Sequence, residues 1–89
     1  MEIKLEIPPY DKKIGVVAYW EEGFVIEVSE ANGQILISAN KAGLISLAVH
    51  LLTLAQDTVP IGCHYHFDEY NSLEDGSKEL IIEKTPTST

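Results

Sequence analysis

The sequence predicts an α+β domain, in which a largely antiparallel sheet of about six strands carries one long helix on one face. Residues 40–56 place apolar side chains at helical spacing, which indicates the helix. Short β-branched or alternating runs stand on both sides of it, and every link between neighbouring strands is short enough for a hairpin. The predicted element order is therefore ββββαββ, within a single domain over residues 1–84.

The first two strands are predicted before residue 21. Residues 3–7 alternate aliphatic and charged side chains, a pattern typical of a strand with one wet face. Pro8 and Pro9 end this strand, because proline cannot donate a hydrogen bond to a ladder. Residues 14–20, IGVVAYW, are β-branched and aromatic and predict the second strand.

The third and fourth strands are predicted to form a hairpin. Residues 24–28 alternate apolar side chains, and residues 35–38 begin with a short aliphatic run. Asn32 and Gly33 stand between them, and both accept the positive φ that a two-residue hairpin turn requires. The fourth strand leads directly into the helix.

The helix is the most apolar part of the chain. Asn40 is expected to cap it, because its side-chain oxygen can accept from a free amide of the first turn. Ser46, His50 and Thr53 fall on one narrow polar stripe, and His50 reaches the sheet only if that stripe faces inward. A helix with so little polar surface should be covered on most sides, by the sheet and by a second copy of the molecule. The residues expected to line one apolar face are Leu44, Leu47, Ala48, Leu51 and Ala55.

Two further strands are predicted after the helix, over residues 63–68 and 78–84. The intervening residues 69–77 are polar and contain an Asp-Gly turn signal. The polar tail, residues 85–89, is expected to be flexible.

The charge balance restricts the partners that the chain can bind. Its 89 residues include 14 acidic and 6 basic ones, and every basic residue is a lysine, so the formal net charge is −8. Negative charge and the lack of arginine argue against nucleic-acid binding and favour a basic partner. A chain this short buries roughly 60% of its unfolded surface, so its stability margin is thin and a homodimer is plausible.

Cysteine use and the N-terminus bear on the compartment. Cys63 is the only cysteine, which excludes an intramolecular disulfide and fits a reducing environment. On its strand it belongs with Tyr65 and Phe67, so we expect a buried, inert thiol. Neither a signal-peptide pattern nor a run of roughly 20 apolar residues is present. We therefore expect a cytoplasmic protein without membrane contact and without a cofactor.

Three residues of the fifth predicted strand raise the question of a metal. His64, His66 and Asp68 are spaced by two and point to the same side of a strand. Two imidazoles and a carboxylate can begin a metal site, although no further ligand can be named. A small metal-binding module or metal-dependent enzyme is therefore the alternative to a binding protein. The same spacing also suits an ordinary polar strand face, and we expect no bound metal.

Acidic residues around an aromatic side chain form a candidate binding surface. Such a surface suits a partner rich in lysine and arginine and needs no catalysis. Trp20 with Glu21 and Glu22 is a second patch of that kind. The residues predicted to contact the partner are Asp68, Glu69, Tyr70, Glu74 and Asp75, with His64 and His66 beside them.

The second half of the chain resembles a known family. The runs GLISLAVHLLTLAQ and VPIGCHYHFDEYNSLEDGSKELIIEK resemble bacterial immunity proteins of polymorphic toxin systems, and immunity protein family thirty-two in particular. The resemblance covers residues 43–84 and lies in the start of the helix, the His-x-His-x-Asp strand, the acidic turn and the last strand.

The resemblance implies a function as well as a fold. Such proteins are non-enzymatic inhibitors that stay in the producing cell and neutralise a cognate toxin delivered by sibling cells during contact-dependent competition. The toxins of these systems are often nucleases with basic grooves, which an acidic, arginine-free inhibitor would suit. No catalytic residue is implied.

Overall fold

The computed structural model describes residues 1–87 and has α+β architecture, as predicted. Over these residues it contains four strands in two antiparallel pairs, so the predicted sheet of about six strands is wrong. The last two residues of the predicted tail, 88–89, lie outside the described residues. The elements are β1 (Ile26–Ala31), β2 (Gln34–Ala39), α1 (Lys41–Ala55), β3 (His64–Phe67) and β4 (Leu80–Glu83).

The two strands predicted in the N-terminal segment, residues 1–25, do not form. Within this fully described segment the only ladder contact is an isolated bridge between Asp11 and Gly15. The alternation in residues 3–7 and the β-branched run 14–20 indicated strands from local pattern alone. A strand also needs a neighbouring strand to hydrogen-bond with. Here, side chains of other elements bond the backbone of this segment instead.

The β1–β2 hairpin forms as predicted around Asn32 and Gly33. Their φ angles are 54° and 75°, the left-handed values that a tight hairpin turn requires. Ala31 pairs with Gln34 next to the turn, which sets the register of the whole ladder. The predicted hairpin is confirmed, although β1 begins two residues later than the sequence pattern indicated.

The C-terminal half joins β1 on its other edge. Strands β3 and β4 pair antiparallel, with Tyr65 opposite Ile82. Before β4, the chain runs alongside β1: the amide of Glu74 donates to the Ile26 carbonyl at 2.9 Å, and that of Lys78 to the Val28 carbonyl at 2.8 Å. β1 therefore has hydrogen-bonded neighbours on both edges, whereas β2 has one only on the side of β1 among the described residues.

Asn40 caps α1, as predicted, and also ties it to the start of β1. Its Oδ1 accepts from the amides of Gly43, at 2.8 Å, and Val25, at 3.0 Å. Its Nδ2 donates to the carbonyl of Gly23 at 2.9 Å. One side chain thus satisfies three backbone groups on two segments that are distant in the sequence.

The helix turns its polar stripe inward, which corrects the expectation that the sheet would cover its apolar face. Ser46, His50 and Thr53 are buried, whereas the side chains of Leu44, Leu51 and Leu52 are 57%, 50% and 47% exposed. The inward stripe begins at a glycine that lets the helix approach β1 closely. A Cβ atom on Gly43 would lie 2.6 Å from the carbonyl oxygen of Val25 and 2.8 Å from a side-chain carbon of Ile26.

Two side chains of the inward stripe hold the N-terminal segment. The amide of Tyr19 donates to His50 Nε2 at 2.9 Å, and the amide of Glu21 donates to Ser46 Oγ at 2.8 Å. A segment without a strand partner must find hydrogen-bond acceptors for its amides elsewhere. The polar stripe faces inward because it supplies these acceptors.

Two more side chains fix the earlier part of the same segment. Gln56 Nε2 donates to the Pro8 carbonyl and the Tyr65 hydroxyl donates to the Val17 carbonyl, both at 2.9 Å. The C-terminal end of the helix is capped by Lys84, whose Nζ donates to the Gln56 carbonyl at 2.7 Å.

The core lies between α1, β1 and β3. Trp20 enters it from the N-terminal segment, stacking on Phe24 at 4.4 Å between ring centroids and meeting His50 edge-on at 4.6 Å. Cys63 is partly buried against the same cluster. Within residues 1–87, no helix combines the length and hydrophobicity needed to cross a bilayer. The buried cluster consists of Ile26, Val28, Leu54, Val59, Tyr65, Phe67 and Leu73.

His50 is held in its neutral form. Burial lowers its pKa from 6.5 to about 4, because the charged ring would lose its hydration. Protonation of Nε2 would also remove the acceptor for the Tyr19 amide. The rings of Tyr65 and Phe67 lie 4.7 and 5.0 Å from the imidazole, so it is surrounded by aromatic surface.

We expect Asn40→Ala to lower the free energy of unfolding by about 2 kcal/mol, because it removes the cap and the tie to β1 together. Asn40→Asp is the matched variant, since it keeps the acceptor for Gly43 and Val25 and loses only the donor to Gly23. Urea unfolding should therefore place Asn40→Asp between the wild type and Asn40→Ala. Equal midpoints for the wild type and Asn40→Ala would contradict this account.

The titration of His50 predicts an acid-sensitive fold. Its pKa is lower in the folded than in the unfolded state, so its contribution is complete above pH 6.5 and is lost as the pH falls towards 4. The loss should approach roughly 3 kcal/mol. His50→Gln keeps an acceptor without the titration, so its stability deficit relative to wild type should shrink between pH 6.5 and 4 in urea melts. A deficit independent of pH would show that His50 does not titrate on unfolding.

Candidate functional site

The acidic residues predicted as a binding surface lie in the acidic loop, residues 68–79, which connects β3 to β4. The loop folds around Asp68. Its Oδ1 accepts from the amides of Tyr70, at 2.9 Å, and Asn71, at 3.0 Å, and its carbonyl accepts from Leu73 at 2.9 Å. Asp68 therefore sets the shape of the loop as well as contributing charge.

Glu69 braces the far side of the loop. Its Oε2 accepts from the amide of Gly76 at 2.6 Å. Gly76 has a φ of 83°, a left-handed conformation that glycine adopts without strain. Because the Asp68 and Glu69 carboxylates accept hydrogen bonds from amides of the loop, the residues between Glu69 and Gly76 are held in a defined conformation.

Tyr70, Glu74 and Asp75 are the exposed members of the predicted set. Tyr70 is 89% exposed, although aromatic residues usually bury most of their surface. Hydrogen bonding to the Glu69 carboxylate, together with the negative charge of Glu69 and Asp68, raises the pKa of its hydroxyl. The acidic loop thus places the five predicted contact residues together, two as its braces and three facing solvent.

The three predicted metal candidates do not form one group. His64 and His66 point to the same side of β3, as expected from their spacing, and both are exposed. His64 Nδ1 lies 3.2 Å from the Gly62 carbonyl and takes no part in the cluster around His66.

His66 instead lies among two carboxylates. Its Nε2 is 3.9 Å from Asp68 Oδ2 and 3.5 Å from Glu79 Oε2, and the three ligand atoms lie within 4.8 Å of one another. None of the three residues is buried. Such a group can hold a cation, but it also forms an ordinary surface ion pair when the imidazole is protonated.

In the second candidate patch, Trp20 with Glu21 and Glu22, the tryptophan does not face solvent with the carboxylates. Trp20 packs into the core, with its ring centroid 5.2 Å from that of Phe67. The Glu21 amide is bound by the helix, so the turn is part of the attachment of the N-terminal segment. The sequence could not decide this point, because an aromatic beside acidic residues does not reveal which way its ring points.

The structure leaves an apolar surface exposed, of which the sequence had indicated only the part on the helix. It is called here the apolar surface and comprises the aliphatic side chains of β2 and the outward face of α1. The sequence contained a signal for it, because neither β2 nor residues 42–55 of the helix include any charged residue. Its large side chains, all between 43% and 70% exposed, are Ile35, Leu36, Ile37, Leu44, Leu51 and Leu52.

Comparison with known proteins identifies a family. A family model described as immunity protein 32 matches residues 34–85, which run from the start of β2 to just beyond β4. The match therefore covers the helix, the acidic loop and the apolar surface, and it confirms the resemblance seen in residues 43–84. No curated protein and no solved structure matches the chain. Since the family model spans more than half of the 89 residues, the chain belongs to the immunity protein 32 family.

Proposed function

We propose that this protein binds a cognate bacterial toxin and neutralises it by covering its active site or substrate groove, without catalysing a reaction. Family membership is the observation that carries the proposal, because immunity proteins act on toxins. The toxin is proposed to have a basic groove, as a nuclease does. The protein would act in the cytoplasm of the toxin-producing cell, in competition between neighbouring cells.

The charge of the chain supports a basic target. The net charge of −8, with lysine as the only basic residue type, gives this small protein a negative electrostatic field. Opposite fields accelerate encounter and reject partners of like charge. A toxin groove that binds a phosphate backbone carries the complementary field.

The acidic loop is proposed as the contact surface. Interfaces often depend on a few anchors, and tyrosine is enriched among them. Tyr70 is the natural anchor, because 89% of it is exposed and it stands on a loop braced by Asp68 and Glu69. Glu74 and Asp75 would then pair with basic groups at the rim, and a braced loop loses little conformational freedom on binding.

The buried polar residues support a non-enzymatic role. Among the described residues they are Ser46, His50 and Thr53, and each is engaged in a structural hydrogen bond. His50 has the perturbed pKa often found at catalytic sites, but its accepting nitrogen is occupied by a backbone amide inside the core. That hydrogen bond supports a structural role for His50.

The immunity function predicts rescue from a toxin. Expression of a cognate toxin domain should stop growth of a host cell, and co-expression of this protein should restore it. The two purified proteins should form a stable complex, which can be measured by calorimetry. Growth arrest that persists, with no complex detectable, would refute the proposed function.

The contact surface predicts a specific loss of affinity. The double variant Glu74→Lys/Asp75→Lys should weaken toxin binding about tenfold or more, since it reverses charge at the rim. Glu2→Lys/Glu6→Lys makes the same change in net charge at exposed positions of the N-terminal segment and is the matched control.

The control separates local contact from overall charge. The control variant should lose little affinity, whereas Tyr70→Ala should weaken binding as the loop variant does. All variants should keep the wild-type melting temperature within a few degrees, because the changed side chains are exposed. Equal losses in the loop variant and the control would show that only net charge matters, and unchanged affinity in the loop variant would exclude this loop.

A further inference from the structure

The solvent-exposed face of the β3–β4 hairpin carries the cluster of His66, Asp68 and Glu79. Side chains alternate along β3, so Tyr65 enters the core while His66 faces solvent. In the ladder, His66 lies opposite Ile81. Asp68 comes two residues after His66 and Glu79 two residues before Ile81, so both return to the side of His66. The register of the hairpin therefore brings an imidazole and two carboxylates together.

The three side chains meet at distances that are too long for hydrogen bonds. His66 Nε2 is 3.5 Å from Glu79 Oε2 and 3.9 Å from Asp68 Oδ2, and the three atoms lie within 4.8 Å of one another. An N–H···O hydrogen bond spans about 2.7–3.2 Å. By contrast, ligand atoms that bind a tetrahedral zinc ion at about 2.0–2.2 Å lie roughly 3.3–3.6 Å apart.

The cluster is thus close to the spacing that a central ion requires. The distance from His66 to Glu79 already matches it, and the largest separation exceeds it by at most about 1.5 Å. Rotation of the Glu79 side chain, which is 68% exposed, can close that difference.

Electrostatics also favour a cation at this point. The two carboxylates lie close enough to repel each other, and the chain as a whole has a net charge of −8. A protonated imidazole would relieve the repulsion only in part, because an exposed ion pair contributes little. A divalent ion contacts all three ligands at once.

Hydrogen bonds hold two of the three ligands in place. Asp68 Oδ1 accepts from the amides of Tyr70 and Asn71, at 2.9 and 3.0 Å, while its Oδ2 is the oxygen nearer to His66. Asn71 Nδ2 donates to the His66 carbonyl at 2.9 Å, which fixes the backbone between the two ligands. Carboxylates that bind metals are commonly oriented by such hydrogen bonds.

We propose that His66 Nε2, Asp68 Oδ2 and Glu79 Oε2 bind one Zn²⁺ ion, which joins the two ends of the acidic loop. Asp68 begins this loop and Glu79 ends it, so the ion closes it at its base. Water completes the coordination. An imidazole nitrogen suits zinc, whereas Mg²⁺ and Ca²⁺ prefer oxygen ligands.

The proposal departs from the expectation, drawn from residue spacing alone, that no metal binds. Glu79 is the further ligand that the sequence could not name, and it replaces His64, which lies outside the cluster. The site does not rest on the proposed function, because zinc binding can be measured without a toxin.

Calorimetric titration of the tag-free full chain with ZnCl₂ tests the site directly. In the presence of millimolar Mg²⁺, which competes at oxygen-only sites, we expect one ion per chain with a micromolar dissociation constant. His66→Gln and Glu79→Gln should each weaken binding about tenfold or more, because each removes a ligand. Both residues are exposed, so both variants should fold.

His64→Gln and Glu83→Gln are the matched controls. They make the same two substitutions on the same exposed face of the hairpin, at residues that lie opposite each other in the ladder. Neither residue belongs to the cluster. Both controls should bind zinc as tightly as the wild type, and zinc should raise their melting temperature but not that of Glu79→Gln.

Nuclear magnetic resonance of the imidazole nitrogens identifies the ligand without any substitution. One equivalent of zinc should shift the ¹⁵N resonance of His66 Nε2. The resonances of His64, outside the cluster, and of His50, buried in the core, should stay in place.

Several results would overturn the zinc site. One is the absence of binding heat at micromolar zinc. Another is an equal loss of affinity in Glu79→Gln and Glu83→Gln, which would show adventitious binding to a negatively charged surface. A shift at His64 in place of His66 would put the ion at the other end of the hairpin.

Discussion

The fold depends on hydrogen bonds from the inward side chains of α1 to a segment that has no strand partner. The N-terminal segment packs against the helix through the part-buried amides of Tyr19 and Glu21, and His50 and Ser46 accept from them. The free energy lost when such an amide has no acceptor is comparable to the free energy gained by burying several apolar contacts. The helix therefore turns its few polar side chains inward and leaves its leucines outside.

The close approach of the helix to β1 follows from the same orientation. Gly43 allows contact with the Val25 carbonyl and Ile26, and Asn40 bonds the start of β1 from the turn before the helix. Trp20 and His50 then fill the space between the N-terminal segment and β3. The core is assembled around β1, because the hairpin, the helix and the chain preceding β4 all contact that one strand.

A central β1 gives the molecule two outer edges of different chemistry. On one edge the chain from Glu74 to Lys78 runs beside β1 and carries the acidic loop, with an exposed tyrosine among carboxylates. On the other edge β2 and α1 present an apolar, uncharged surface. The acidic edge is the one proposed to contact a toxin, because its exposed carboxylates and tyrosine suit a basic partner.

Local chemistry in the sequence was sufficient to predict the parts that depend on neighbouring residues. The Asn32-Gly33 turn, the Asn40 cap, the helix and the resemblance of residues 43–84 to immunity proteins could all be read from adjacent side chains. The sequence by itself also determined the charge of −8, and with it the class of partner proposed here.

Only the tertiary structure decided which face of the helix is buried and which strands form. The sequence reading placed strands at residues 3–7 and 14–20 because local alternation does not reveal whether a partner edge exists. The sequence could not decide which face of the helix is buried. Burial of apolar side chains and hydrogen bonding of the amides in the N-terminal segment favour opposite orientations here. Hydrogen bonding of the amides decided the orientation. An amide that packs against the helix without an acceptor cannot be compensated, whereas a leucine can remain exposed or be covered by another molecule.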